Sequence, residues 1–278
     1  MHFRHLVLPA ALLLSLANPV FAKDWKTVTI TLEGAYAPWN MTNADGKLGG
    51  FEPELAKVLC DRMKIDCTLV ASQWDGMIPA LTAGKFDIIM DALAITDERR
   101  QTIDFSIPYA QTPAAFATAK DSPLANAAGT GKTIEVAVGQ KDVPEIQALR
   151  EAFKGKTIGI MAATSYASFI YDNFKDVADI REYKTGPDRD LDLQSGRIDV
   201  GFDDATYFTS AFDAAKGTLA FTGPIIAGPI WGEGEALGLR KTDPELKAMF
   251  DTAIKTALDD GTVKTLSEKW LKTDVTPH

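Results

Sequence analysis

Arg99, with a scatter of acids, aromatic rings and hydroxyls, falls just past the ends of short apolar runs. Strand ends of an open α/β sheet are where such a fold presents residues to a ligand. The first half of the chain offers Glu33, Tyr36, Trp74, Asp91, Ala92 and the loop through Ala94 and Thr96 to Arg99; the second offers Thr164, Ser165 and Asp204. These residue types suit a zwitterion. A guanidinium fork binds a carboxylate through two parallel bonds. Hydroxyls and amides at a helix opening near Thr164 add anion donors. Asp204 would answer an α-ammonium, and Trp74 with Glu33 would take a distal cation by stacking and pairing. Each has a duller alternative: Arg99 as an exposed helix residue, Trp74 as core, Glu33 as a solvated acid, Asp203 or Asp204 as the cap of a helix at Ala205.

Composition removes other chemistry. The histidines are His2, His5 and His278, so the body of the chain lacks the residue that a Ser-His-Asp triad, a Cys-His pair or a His-based zinc site requires. No metal or cofactor is expected. The 29 Lys and Arg against 38 Asp and Glu give a net charge of −9, a poor match for nucleic acid. Arg4 followed by an apolar run over residues 6–16 and by Val20-Phe21-Ala22 reads as a cleaved signal peptide over residues 1–22. The run is shorter than the roughly 20 residues a membrane span needs. Losing Arg4, the leader's one formal charge, moves the net charge from −9 to −10. Export also makes a local Cys60–Cys67 disulfide the natural reading, with two free buried thiols as the alternative.

The elements that must position these residues come in two related sets. Leu81, Gly84, Lys85, Asp87 and Asp91 recur in register as Leu193, Gly196, Arg197, Asp199 and Asp203. Each copy reads as a helix end, a glycine stop, a cation and a buried strand closing on an acid. Strands are expected at residues 23–30, 67–71, 86–90, 115–119, 157–160, 180–183, 198–202, 219–222 and 236–240. Helices are expected from Glu52 past Leu59, at 76–83, 143–153, 165–174, 188–194 and 205–215, and from a cap at Asp243 to Leu258, with a last one ending near Leu271. Residues 91–99 read as loop, and 223–234 as a Gly/Pro-rich return. Residues 23–112 with 235–278 form one lobe and 113–234 the other, around a cleft that can close.

Ala94-Ile95-Thr96-Asp97-Glu98-Arg99, then Ile103-Asp104-Phe105-Ser106-Ile107-Pro108-Tyr109, resembles the signature of periplasmic polar amino-acid-binding proteins of ABC importers. Gly50-Phe51-Glu52-Pro53-Glu54-Leu55-Ala56, Trp74-Asp75-Gly76-Met77-Ile78-Pro79-Ala80-Leu81 and the ending through Trp270 match the same family over essentially the whole mature chain. Glu33 to Asn40, Trp74 and the tail Asp274-Val275-Thr276-Pro277 look closest to its octopine- and nopaline-binding branch. The resemblance implies a two-lobed α/β type II periplasmic binding protein, monomeric, with two hinge crossings. It would capture a cationic amino acid or opine and deliver it to a membrane permease. It also implies Arg99 on the α-carboxylate with backbone support from Ala92 and Thr96, and Asp204 on the α-amino group. Thr164 and Ser165 would close from the second lobe, Tyr36 and Trp74 would sandwich the side chain, and Glu33 would pair its cation. Two departures matter: many relatives carry serine at Ala94 and glycine at Ala163. Ala94 removes a polar contact and makes room for an N-substituted amino acid. Asp91 adds an acid with no assigned role. The rival from another class is a periplasmic dehydratase similar to cyclohexadienyl dehydratases, which would need a near-neutral acid or base among Glu33, Asp91 and Asp204. A detached sensor input domain is a third reading.

Overall fold

The computed structural model describes residues 24–140 and 142–277; the expected signal peptide lies outside them. Among the described residues no helix is long and apolar enough to cross a membrane. Thr27–Leu32, rich in β-branched residues, pairs in parallel with Asp66–Ala71 on one side and Ile88–Ile89 on the other. Parallel neighbours need crossover connections, and the helices Phe51–Met63 and Met77–Thr82 supply them. Gly238–Leu239 and Asp104–Phe105 complete a five-stranded sheet. The second sheet has six strands, in the order Asp179–Tyr183, Thr157–Met161, Val200–Asp204, Ala114–Ala119, Leu219–Ala227 and Thr133–Glu135.

The sequence echo is a structural one. Asp87 accepts the Thr29 N–H at 3.0 Å in the first half, and Asp199 accepts the Thr157 N–H at 2.9 Å in the second. In both copies an acid just before a strand pins the neighbouring strand, fixing its register. Gly84 and Gly196 sit at φ +73° and +70°, the left-handed conformation a helix stop asks of glycine. The strands then deliver Asp91 and Asp203 to equivalent places. The chain passes between the sheets twice, and the passages touch where Glu235 N–H donates to the Ala110 carbonyl at 2.8 Å.

Several elements differ from the sequence reading. The stretch at 86–90 shortens to Ile88–Ile89, and 236–240 to Gly238–Leu239. Residues 97–102 are not loop: Asp97–Thr102 is a helix, because the Thr96 hydroxyl accepts the Arg99 N–H and starts it. The strand from Leu219 continues through Gly223 and Pro224 to Ala227, its register with Ala114–Ala119 shifting between Thr222 and Ile226. A bulge is where a strand tolerates proline. Asp243 holds the N-cap position of its helix but makes no side-chain cap bond; its carboxylate meets Arg240 Nε at 2.7 Å instead.

Cys60, at the buried end of helix Phe51–Met63, is joined to Cys67 in the following strand. Closing a loop this short contributes about 2–3 kcal/mol through the unfolded chain. Replacing both cysteines by serine should lower urea-measured stability by at least that amount. A loss below 1 kcal/mol would contradict the role given to this bond.

Candidate functional site

A cavity lies where strand ends of the two sheets face each other. From the first sheet's half come Glu33, Tyr36, Trp74, Asp91, Ala92, Ala94 and Arg99; Thr164 and Ser165 come from the opening of helix Ser165–Phe174. Thr96 and Asp204 do not line it. The Thr96 hydroxyl caps its helix, which does not bear on the backbone contact expected of this residue. Asp204 caps helix Ala205–Ala214, with Oδ1 on the Thr206 and Tyr207 N–H groups at 2.7 and 3.0 Å and Oδ2 on the Thr112 hydroxyl. Three further residues line the cavity: Met161, Tyr166 and Asp203. The repeat points to Asp203, the counterpart of Asp91; nothing in the residue pattern marked Met161 or Tyr166.

Arg99 projects from the first turn of its short helix. Nη1 donates to the Ala94 carbonyl at 2.9 Å and Nη2 reaches the Ala163 carbonyl across the cleft at 3.3 Å. The guanidinium carbon sits 5.2 Å from the centre of the Trp74 ring. Burial lowers its pKa to about 10, and no carboxylate pairs with it among the described residues.

The acids divide into two kinds. Asp203 is held by the fully buried Arg189, which also meets Asp190 at 2.9 Å. Among the described residues Glu33 and Asp91 have no such cation. Burial, then Asp203 and Asp188, push the Glu33 carboxyl up to about 7. Burial, then the neighbouring Glu52 and Glu33, raise that of Asp91. Behind them Glu52 is satisfied by the Tyr109 hydroxyl, the Asn40 amide and the Ala92 N–H.

The two sides of the cleft also bond directly. The Tyr36 hydroxyl donates to Asp203 at 2.6 Å while its ring stacks on Tyr207 at 4.8 Å, and the Trp39 indole donates to the Thr206 hydroxyl at 2.9 Å. Two alanines at the site carry left-handed backbone: Ala92 in the cavity wall at φ 43°, and Ala163, whose carbonyl meets Arg99, at φ 59°. That conformation costs a non-glycine residue about 1–2 kcal/mol, and such strain collects at binding sites.

Over residues 28–273 the chain matches the family model of bacterial extracellular solute-binding proteins, family 3, and it belongs to that family. It is 42% identical to the octopine-binding periplasmic protein of Rhizobium meliloti, over 92% of this chain and 94% of that one. It is 31% identical to the L-arginine-binding protein of Pseudomonas aeruginosa, over 98% of each chain. A crystal structure of a periplasmic His/Glu/Gln/Arg/opine family-binding protein from Silicibacter pomeroyi in complex with lysine superposes with a TM-score of 0.72 at 30% identity, covering 90% of this chain and 100% of that one. The fold is the type II periplasmic binding architecture.

Arg189 carries the second wall of the cleft, since it fixes Asp203 and through it Tyr36. Arg189→Met should destabilise the protein by about 3–5 kcal/mol, the cost of leaving a buried charge without its partner. Chemical denaturation showing a change below 1 kcal/mol would contradict that role.

Proposed function

We propose that the protein is an extracytoplasmic binding protein for a cationic amino acid or an arginine-derived opine, which it delivers to the permease of an ABC importer. One observation carries this reading. The cavity contains a guanidinium without a carboxylate and two carboxylates without a cation, and they do not pair with each other. A solute bearing both signs completes all of them. In this reading Arg99 takes the carboxylate through paired charge-assisted bonds, helped by the helix opening at Thr164 and Ser165. Tyr36 and Trp74 wall the aliphatic stem, and Glu33 takes the distal cation. The names of the similar proteins support the ligand class: octopine, arginine and lysine each carry a carboxylate and a cationic end.

The lobes proposed are residues 23–112 with 235–278, and 113–234. Their closure is a population shift, driven by contacts the solute makes to both sides. The closed surface is then what a permease reads, and the protein works as a monomer that captures its solute without transforming it. A near-neutral Glu33 is also what a dehydratase would need. Incubation with prephenate or arogenate separates the readings: intact substrate supports capture, and turnover supports the enzyme.

Two outcomes test the charge assignments. Arg99→Ala should weaken L-arginine binding by at least about 100-fold, because the solute carboxylate would lie in the cleft unpaired. Unchanged affinity by calorimetry would remove Arg99 from the site. Glu33 titrates near pH 7 in the free protein, and a bound cation favours its ionised form. Affinity for L-arginine should therefore fall as pH drops below 7, by up to about tenfold per unit, with proton release on binding. Glu33→Gln should make this profile shallower, leaving the part that Asp91 contributes; a wild-type affinity constant from pH 5.5 to 8 would contradict it.

A further inference from the structure

Asp91 and Asp203 hold the same position in the repeated segment and line the same cavity from opposite sheets. Their second oxygens differ. Asp203 gives Oδ1 to the Tyr36 hydroxyl and the Asp204 N–H, and Oδ2 to Arg189. Asp91 gives Oδ1 to the Asn40 amide at 2.6 Å and the Glu33 N–H at 3.1 Å, but its Oδ2 is buried with no hydrogen-bond partner among the described residues. The residue is only 4% exposed. Its charged neighbours, Glu52 and Glu33, are themselves acids. Where one copy of the repeat supplies a protein cation, the other leaves a carboxylate oxygen without a donor.

We propose that Asp91 Oδ2 receives the α-nitrogen of the solute, as a primary ammonium or as the secondary ammonium of an N-alkylated amino acid. Placement favours the α-nitrogen over the distal group. Glu33 also lines a neighbouring cavity with Ser72, Gln73 and Lys184, at the side-chain end, and Asp91 does not. Asp91 instead shares one short segment with Ala92, Ala94 and Arg99, and Arg99 is itself bonded to the Ala94 carbonyl. A carboxylate on Arg99 sets its adjacent nitrogen close to that segment. Asp204, the acid the sequence suggested for this role, has Oδ1 and Oδ2 engaged by the helix cap and by Thr112. Both ends of the head group are then held by one lobe, so the solute docks there before the cleft closes. An ionised carboxylate also selects a charged nitrogen: an N-alkylated amino acid keeps that charge, whereas an Nα-acylated one has a neutral amide.

The inference rests on the binding reading above, and calorimetry with L-arginine and Nα-acetyl-L-arginine tests it separately. Wild-type protein should bind L-arginine about 10–100-fold more tightly than the acetylated form, the range of one charge-assisted bond. In Asp91→Asn the loss should fall on L-arginine alone, collapsing that ratio to within about threefold. If thermal melting shows Asp91→Asn does not fold, Asp91→Ser, which keeps an acceptor for the Glu33 N–H, replaces it. Equal losses for both ligands, or an intact ratio, overturn the assignment. So does a collapsed ratio in Asp204→Asn with Asp91→Asn unaffected. Wild-type protein that binds neither ligand overturns the binding reading itself, and the inference with it.

Discussion

A guanidinium with only carbonyls for partners, at the centre of a cleft, needs an anion. Water satisfies it while the cleft is open; once the walls approach, the charge loses that solvation and must find a carboxylate. Arg99 is in this position, with the Ala94 and Ala163 carbonyls as its bonds. The same argument applies with opposite sign to Glu33 and Asp91, whose raised pKa values measure how poorly an unpaired negative charge sits there. Closure around nothing leaves these charges uncompensated, and closure around a zwitterion with a cationic tail compensates them together. In the proposed function, this charge imbalance is what couples solute to hinge.

Other parts of the molecule hold that imbalance in place without cancelling it. Two copies of one α/β unit bring strand ends face to face, each registered by an acid on its neighbour's backbone, Asp87 on Thr29 and Asp199 on Thr157. In the second half the repeated terminal acid is neutralised internally by Arg189 and becomes a structural wall that grips Tyr36. In the first half its counterpart, Asp91, has no such cation among the described residues, and in the proposed reading it is left for the solute. The two copies of the pattern thus differ in how one acid is paired. The direct bonds Tyr36–Asp203 and Trp39–Thr206 tie the two sides of the cleft to each other beside the site.

Much of this was legible in the residues. Periodic apolar runs, glycine stops and the repeated segment locate both sheets, and position past a strand end gathers Glu33, Tyr36, Trp74, Asp91 and Arg99. What was not legible depends on contacts between distant residues. Choosing which of two adjacent acids faces the cavity requires knowing that Thr112 approaches Asp204 and Arg189 approaches Asp203. The helix at Asp97–Thr102 is short enough that a single hydroxyl cap decides it, and the strand through Gly223 and Pro224 persists because its neighbours pair on either side of a bulge. A local cap decided the helix, whereas in the strand tertiary pairing prevailed over local propensity.

The central claim is that the solute's carboxylate and cation complete charges already waiting in the cleft. A crystal structure of the protein with L-arginine bound tests it most directly. The account predicts the carboxylate bridged by both terminal nitrogens of Arg99 and the cationic groups on the Asp91 and Glu33 oxygens, with the cleft closed over them. A ligand seated with its carboxylate away from Arg99, or those acids still facing no cation, would contradict it.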